Sequence, residues 1–113
     1  MQSGWLLRGG HVLAAAELAE SFADRTRGLL GHRQYDGAML LPRTRAVHTF
    51  GMHFPIDVAF MTADLEVVST TRMAEHRLCR PRRRCRWVLE ASAGSFDRWR
   101  LQVGDRLEFR ETA

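Results

Sequence analysis

Val47 to Met61 read VHTFGMHFPIDVAFM, and the second half of that run decides the fold class. From Ile56 the residues alternate, with Ile56, Val58 and Phe60 on one side of an extended chain and Asp57, Ala59 and Met61 on the other, because successive side chains of a strand point to opposite faces. Both sides are apolar, and Asp57 is the one charge among them. Upstream, Val47 to Phe50 is strand-compatible, Gly51 interrupts it where a bulge or close backbone approach is expected, and Pro55 keeps Phe54 extended. Ala63-Asp64 then turns the chain and Leu65 to Thr71 continues as a strand, so 56–71 reads as a hairpin.

The flanking chain repeats this grammar. Trp5 to Arg8 and Val12 to Leu18 read as extended segments around Gly9-Gly10, a turn signal, although the alanines at 14 to 16 leave the second open to helix. Ser21 with Asp24 three residues on resembles a capping box, and Gly31 stands where a C-cap glycine belongs, which predicts a helix over 22–30. Phe22, Arg25 and Leu29 share one face of it. Ala38 to Leu41 is a short apolar strand closed by Pro42. Trp87 to Ala91 is another, with Trp87 and Leu89 on one side and Val88 and Glu90 on the other. After Gly94, Ser95 to Leu101 forms a short helical turn that packs Phe96 and Trp99 inward, and Gly104-Asp105 leads into a last strand through Leu107 and Phe109. Half-apolar strands of this length imply antiparallel sheets with one wet face. The expected architecture is mainly β, bordering on α+β: one domain over 1–113, an antiparallel β-sandwich or partly closed barrel, with the capped helix near 22–30 and the turn near 95–101.

Composition narrows the class. The chain has 113 residues, 45% hydrophobic and 27% charged, enough to bury a core without disulfide or metal staples. No apolar run approaches the roughly 20 residues of a membrane span, and MQSGWLLRGGHVL lacks the apolar stretch of a signal peptide, so the expected location is the cytoplasm. All 17 basic residues are arginine, and the net charge is +4. Arginine without lysine looks like a general compositional preference, so the charge by itself makes nucleic acid only the less favoured partner.

The order Arg25-Thr26-Arg27-Gly28-Leu29-Leu30-Gly31, Gly37-Ala38-Met39-Leu40, Pro55-Ile56-Asp57 with Phe60, Val88-Leu89-Glu90 with Gly94, and Gly104-Asp105 resembles the domain of unknown function 192 family, from about Leu13 to the C-terminus. The resemblance implies a small, mainly β protein of two antiparallel sheets and one or two short helices, and no activity. Many members carry an export signal or lipid anchor. The common form has Trp-Met-x-Asn-Thr before Pro-Leu-Asp, whereas this chain has His48-Thr49-Phe50-Gly51-Met52 before Pro55-Ile56-Asp57.

Three constellations are candidates for function. Arg25, set between core-facing residues, must snorkel or meet a carboxylate. With Asp57 and Glu90 it makes either a structural ion pair or a pocket with a perturbed carboxylate, and with His48 and Thr49 these are the expected ligand-binding residues. His48, His53 and Asp57 carry the residue types of an acid-base or metal site, and only His48 and His53 come into question as metal ligands. No cofactor is expected. The loop HRLCRPRRRCR holds Arg80, Arg82, Arg83, Arg84 and Arg86 as the anion-binding candidates, together with Cys79 and Cys85, whose default is two free thiols. The surrounding positive charge predicts a lowered thiol pKa there. The favoured function is a non-catalytic binding module for a small molecule or protein partner. The alternatives are a hydrolytic or metal-assisted enzyme using His48, His53 and Asp57, and anion or nucleic-acid binding through the 80–86 loop.

Overall fold

Backbone hydrogen bonding turns these segments into one large sheet and a small ribbon. A computed structural model describes residues 1–27, 29 and 35–112. Along them run β1 (Gln2–Arg8), β2 (His11–Leu18), α1 (Phe22–Arg27), β3 (Ala38–Pro42), β4 (Val47–His48), β5 (Ile56–Met61), β6 (Val67–Met73), β7 (Leu78–Cys79), β8 (Trp87–Ser92), α2 (Ser95–Trp99) and β9 (Leu107–Glu111). Seven strands pair in the order β6-β5-β8-β3-β2-β1-β9, and β4 pairs with β7 apart from them. The architecture is mainly β, as the alternation predicts.

The expected pair of antiparallel sheets is corrected in two respects. The large sheet is mixed, because β2 and β3 run parallel with Ala16 opposite Ala38. A parallel pair needs a crossover, and the segment containing α1 supplies it. The sheet is also open and single. It curls until its edges touch at one end, where Val67 N–H donates to Asp105 O (2.8 Å) and Leu107 N–H to Leu65 O (2.9 Å), but it does not close into a barrel.

Local signals hold elsewhere. Gly9 and Gly10 both take positive φ, 57° and 81°, in the hairpin between β1 and β2, and the alanine-rich segment after them is strand. Ser21 Oγ accepts the Asp24 N–H at 3.0 Å, which is the N-terminal half of the capping box. The C-cap at Gly31 lies outside the described residues, as does the Phe22 side chain on which the expected shared face depends. Among the described residues no helix is long and apolar enough to cross a membrane.

The alternation read along β5 sorts the core into two. On one face Met39, Leu41, Ile56, Val58, Phe60 and Val88 pack under a cover that includes Leu29, Val47, Met52 and Cys85. On the other, Leu40, Ala59, Met61, Leu89 and Ala91 pack with Leu6, Val67 and Leu107 and with Phe96 of α2. Every residue of β3 and β5 is buried. The half-wet strands expected of this chain are therefore confined to the periphery.

Candidate functional site

Asp57 enters the second face with its side chain buried, at 3% exposure, and three donors meet it there. Oδ2 accepts the backbone N–H groups of Gly94 (2.9 Å) and Phe96 (3.1 Å), and Oδ1 accepts Arg72 Nε at 3.0 Å. A strand carboxylate thus caps the first turn of α2, whose Gly94 cap residue has φ 97° and no side chain to offer. Arg72 stands directly opposite Asp57 in the β5–β6 register and reaches on to Asp97 at 3.4 Å. Around this group lies an open depression of about 330 Å³ bordered by Thr70, Thr71 and Phe96. These three bonds tie β5 to α2 and to β6 through one carboxylate.

Glu90 does not join it. Val58 is its partner in register, so Glu90 faces the first core while Asp57 faces the second, and the two carboxylates lie on opposite sides of the sheet. Arg25 donates to Glu20 O at 2.8 Å, and the guanidinium at Asp57 is that of Arg72. Burial pushes the Glu90 carboxyl up to about 7, opposed by a hydrogen bond from the Leu29 backbone, and its Oε1 is buried without a hydrogen-bond partner. Nearby, the Tyr35 hydroxyl donates to Glu17 Oε1 at 2.6 Å. Its pKa is raised by burial, then by Glu17 and by the charge of Glu90. Sequence reasoning missed Tyr35 and Glu17, which carry no local signal.

The histidines occupy the covering ribbon. Val47 pairs with Cys79 and His48 with Leu78. The His48 ring stacks on Phe50 with centroids 5.5 Å apart and planes at 25°, and its Nδ1 is buried without a partner. Thr49, fully buried, pins the turn: its hydroxyl donates to Ala74 O (2.6 Å) and accepts Arg77 N–H (2.7 Å). His53 is exposed in the following turn. His48, in the cover of the first face, and Asp57, on the second, do not converge, and among the described residues no three His, Cys, Asp or Glu side chains are grouped as a metal set would require.

The arginine loop sits beside this ribbon, anchored by one residue. Cys85 is fully buried in the first core, and its thiol lies within 3.0 Å of Trp87 O and 3.3 Å of Thr44 O. Burial raises its pKa and outweighs the lowering by Arg45 and Arg86, contrary to the lowered value expected from the loop's charge. With Cys85 inward, Arg80, Arg82, Arg83, Arg84 and Arg86 are all exposed. Arg82 lies over the buried Phe60 ring at 4.9 Å and donates to Cys79 Sγ at 3.4 Å. The loop is stitched to the segment after β3: Arg82 N–H donates to Arg45 O (3.1 Å) and Thr44 N–H to Arg86 O (3.1 Å). Arg45 and its neighbour Arg43, whose guanidinium donates to Glu20 O at 3.4 Å, are also exposed, which brings the ridge to seven arginines. Their sequence signal was the absence of any carboxylate from 37 to 56 and again from 76 to 89.

A curled mixed sheet with a strand-capped helical turn on one face and a basic ribbon over the other defines a class of small, mainly β domain. Residues 6–109 match the DUF192 family (Uncharacterized ACR, COG1430), and the chain belongs to that family. It is 31% identical over 107 residues to a UPF0127 protein of Pyrococcus furiosus, across 90% of this chain and 92% of that protein. A UPF0127 protein of Pyrococcus horikoshii is 30% identical over 97 residues, across 81% and 84%. Among solved structures, a protein of unknown function from Novosphingobium aromaticivorans shares the fold with a TM-score of 0.76 at 19% identity, over 94% of this chain and 83% of that one. A proposed transcription regulator from Sinorhizobium meliloti reaches the same TM-score at 28% identity, over 96% and 92%.

Two outcomes follow for the buried carboxylates. Asp57→Ala strands one buried and one half-buried N–H group and is expected to cost about 2–3 kcal/mol in chemical denaturation, whereas Asp97→Ala, at the exposed end of the same arginine, leaves the midpoint nearly unchanged. For Glu90 the raised pKa means that the folded chain holds a proton the unfolded chain releases. That contribution is fully present below about pH 4.5 and is lost as the pH rises through about 7. Glu90→Gln is therefore expected to gain on the wild type between pH 5 and 8, by up to about 3 kcal/mol. A stability difference independent of pH over that range contradicts this.

Proposed function

We propose that this domain is a non-catalytic binding module whose ligand is a phosphate-bearing polymer held on the arginine ridge. The observation that carries this reading is the stitching of two carboxylate-free segments into one exposed surface. Among the described residues none of the seven ridge arginines meets a carboxylate within ion-pair distance. The other ten arginines of the chain are outnumbered by 13 carboxylates, so the positive charge of the protein is a local property of this ridge. Guanidinium groups present several donors in a fixed fork suited to phosphate oxygens, and neutralising phosphates releases their counterions. The description of the Sinorhizobium meliloti relative as a proposed transcription regulator is in keeping with a nucleic-acid ligand. A small ligand at Asp57 has less support, because the carboxylate is taken up by α2 and Arg72. The hydrolytic alternative needs His48, His53 and Asp57 to meet.

Fluorescence polarisation with a labelled oligonucleotide and with labelled polyphosphate tests the reading. Both are expected to bind, with log affinity falling linearly in log salt. The triple variant Arg82→Ser, Arg83→Ser, Arg84→Ser is expected to reduce that slope by about 2 and to weaken binding of both polymers. Binding that is insensitive to salt, or unaltered in the triple variant, contradicts it.

A further inference from the structure

The ridge does not stand alone. The face of the β4–β7 ribbon turned away from the core is half-buried at His48 and apolar and exposed at Leu78, on the side of the arginines. Val47 is buried and Cys79 packs against the first core. Their neighbours His48 and Leu78, opposite each other in register, must therefore project to the other side of the ribbon. Leu78 is 65% exposed there, and Phe50, stacked on His48, is 52% exposed. Arg80, exposed, follows just past the end of β7, about 7 Å of extended backbone beyond Leu78. We propose that the polymer on the ridge is single-stranded nucleic acid, whose bases stack on Phe50 and its His48 support while its phosphates run along Arg80, Arg82 and their neighbours.

The inference rests on the ridge reading and narrows it. Basic side chains alone accept any polyanion. An aromatic face presented beside them adds a surface that heparin, polyphosphate and a phospholipid headgroup have nothing to cover, and that a nucleobase covers with its π-face. In a duplex those base faces are already stacked and paired, so the platform selects unpaired bases. The platform is also built to keep its shape. Besides the hydrogen bonds of the Thr49 hydroxyl, Thr49 O accepts N–H groups from His76 (2.9 Å) and Met52 (3.1 Å), and Gly51 N–H donates to His76 Nδ1 at 3.2 Å. Gly51 has φ 82°, which glycine adopts at little cost. Phe50 is therefore fixed at the tip of a turn bonded on both sides, and stacking on it requires little further ordering.

Four probes of equal length separate the contributions: a single-stranded oligonucleotide, its abasic counterpart, a duplex and polyphosphate. Phe50→Ala is expected to weaken the single-stranded oligonucleotide about ten-fold, to leave polyphosphate unchanged and to keep the wild-type denaturation midpoint. Phe50→Trp is expected to restore binding, with indole fluorescence quenched on addition of the oligonucleotide. Single strand over abasic strand and over duplex is the expected order. An abasic or duplex probe that binds as tightly as the single strand overturns the stacking role, as does Phe50→Ala with no effect, and the ridge reading survives either result. Failure of all four probes to bind overturns both. Vesicles of anionic phospholipid that bind more tightly than the single strand, and lose that binding in Phe50→Ala, reassign the surface to a membrane and overturn the proposal.

Discussion

Strands β3 and β5 are buried from end to end, and a sheet whose centre is dry on both faces requires two covers. The second face gets its cover from curling of the sheet and from α2, a five-residue helix too short to hold its position by propensity. Asp57 solves that problem from below. Its carboxylate replaces the missing side-chain cap at Gly94 and satisfies N–H groups that burial would otherwise leave unpaired. Arg72 then balances the charge from the neighbouring strand.

The first face is covered by irregular chain, and this is what gives the molecule its surface chemistry. Val47, Met52 and Cys85 each drop one apolar side chain into the core, and Thr49 bonds the turns together through buried polar atoms. Segments fixed in this way by backbone bonds and single anchors leave the alternate side chains free to face water. On β7 that side chain is Leu78, with His48 half-buried opposite it, and around Cys85 they are arginines. Exposed guanidinium groups keep their hydration, so the same segments can close the core and present a concentrated positive charge. The fold and the proposed binding surface are thus two sides of one layer.

Much of this was legible in the sequence. The faces of β5 and β8 follow from period-two alternation, the turn at Gly9-Gly10 from paired glycines, and the Ser21 cap from its spacing to Asp24. What was not legible depended on register or on distant chain. Asp57 and Glu90 look alike locally, each a carboxylate among apolar residues, yet Val58 rather than Asp57 stands opposite Glu90. Arg72 was hidden by the irregularity between Phe60 and Met61, which moves its pairing beyond the end of a symmetric hairpin. The parallel match of β2 with β3 follows from a crossover that no periodicity reports. At the proposed binding surface, the 80–86 loop was visible as a run of arginines. Its union with Arg43 and Arg45 and its proximity to Phe50 were not, because both rest on contacts across more than 25 residues. Cys85 shows the same limit: neighbouring charges predict an acidic thiol, and burial reverses the sign.

On this proposal the layer over the first face is the part of the domain that meets its ligand. Backbone amide chemical shifts, followed as a single-stranded oligonucleotide is titrated into the isotope-labelled protein, test it most directly. Perturbations confined to 43–50 and 77–87, saturating together, are expected. Perturbations centred on Asp57, Thr70 to Arg72 and α2, with the ribbon and the arginine loop unmoved, would contradict it and put the ligand on the opposite face.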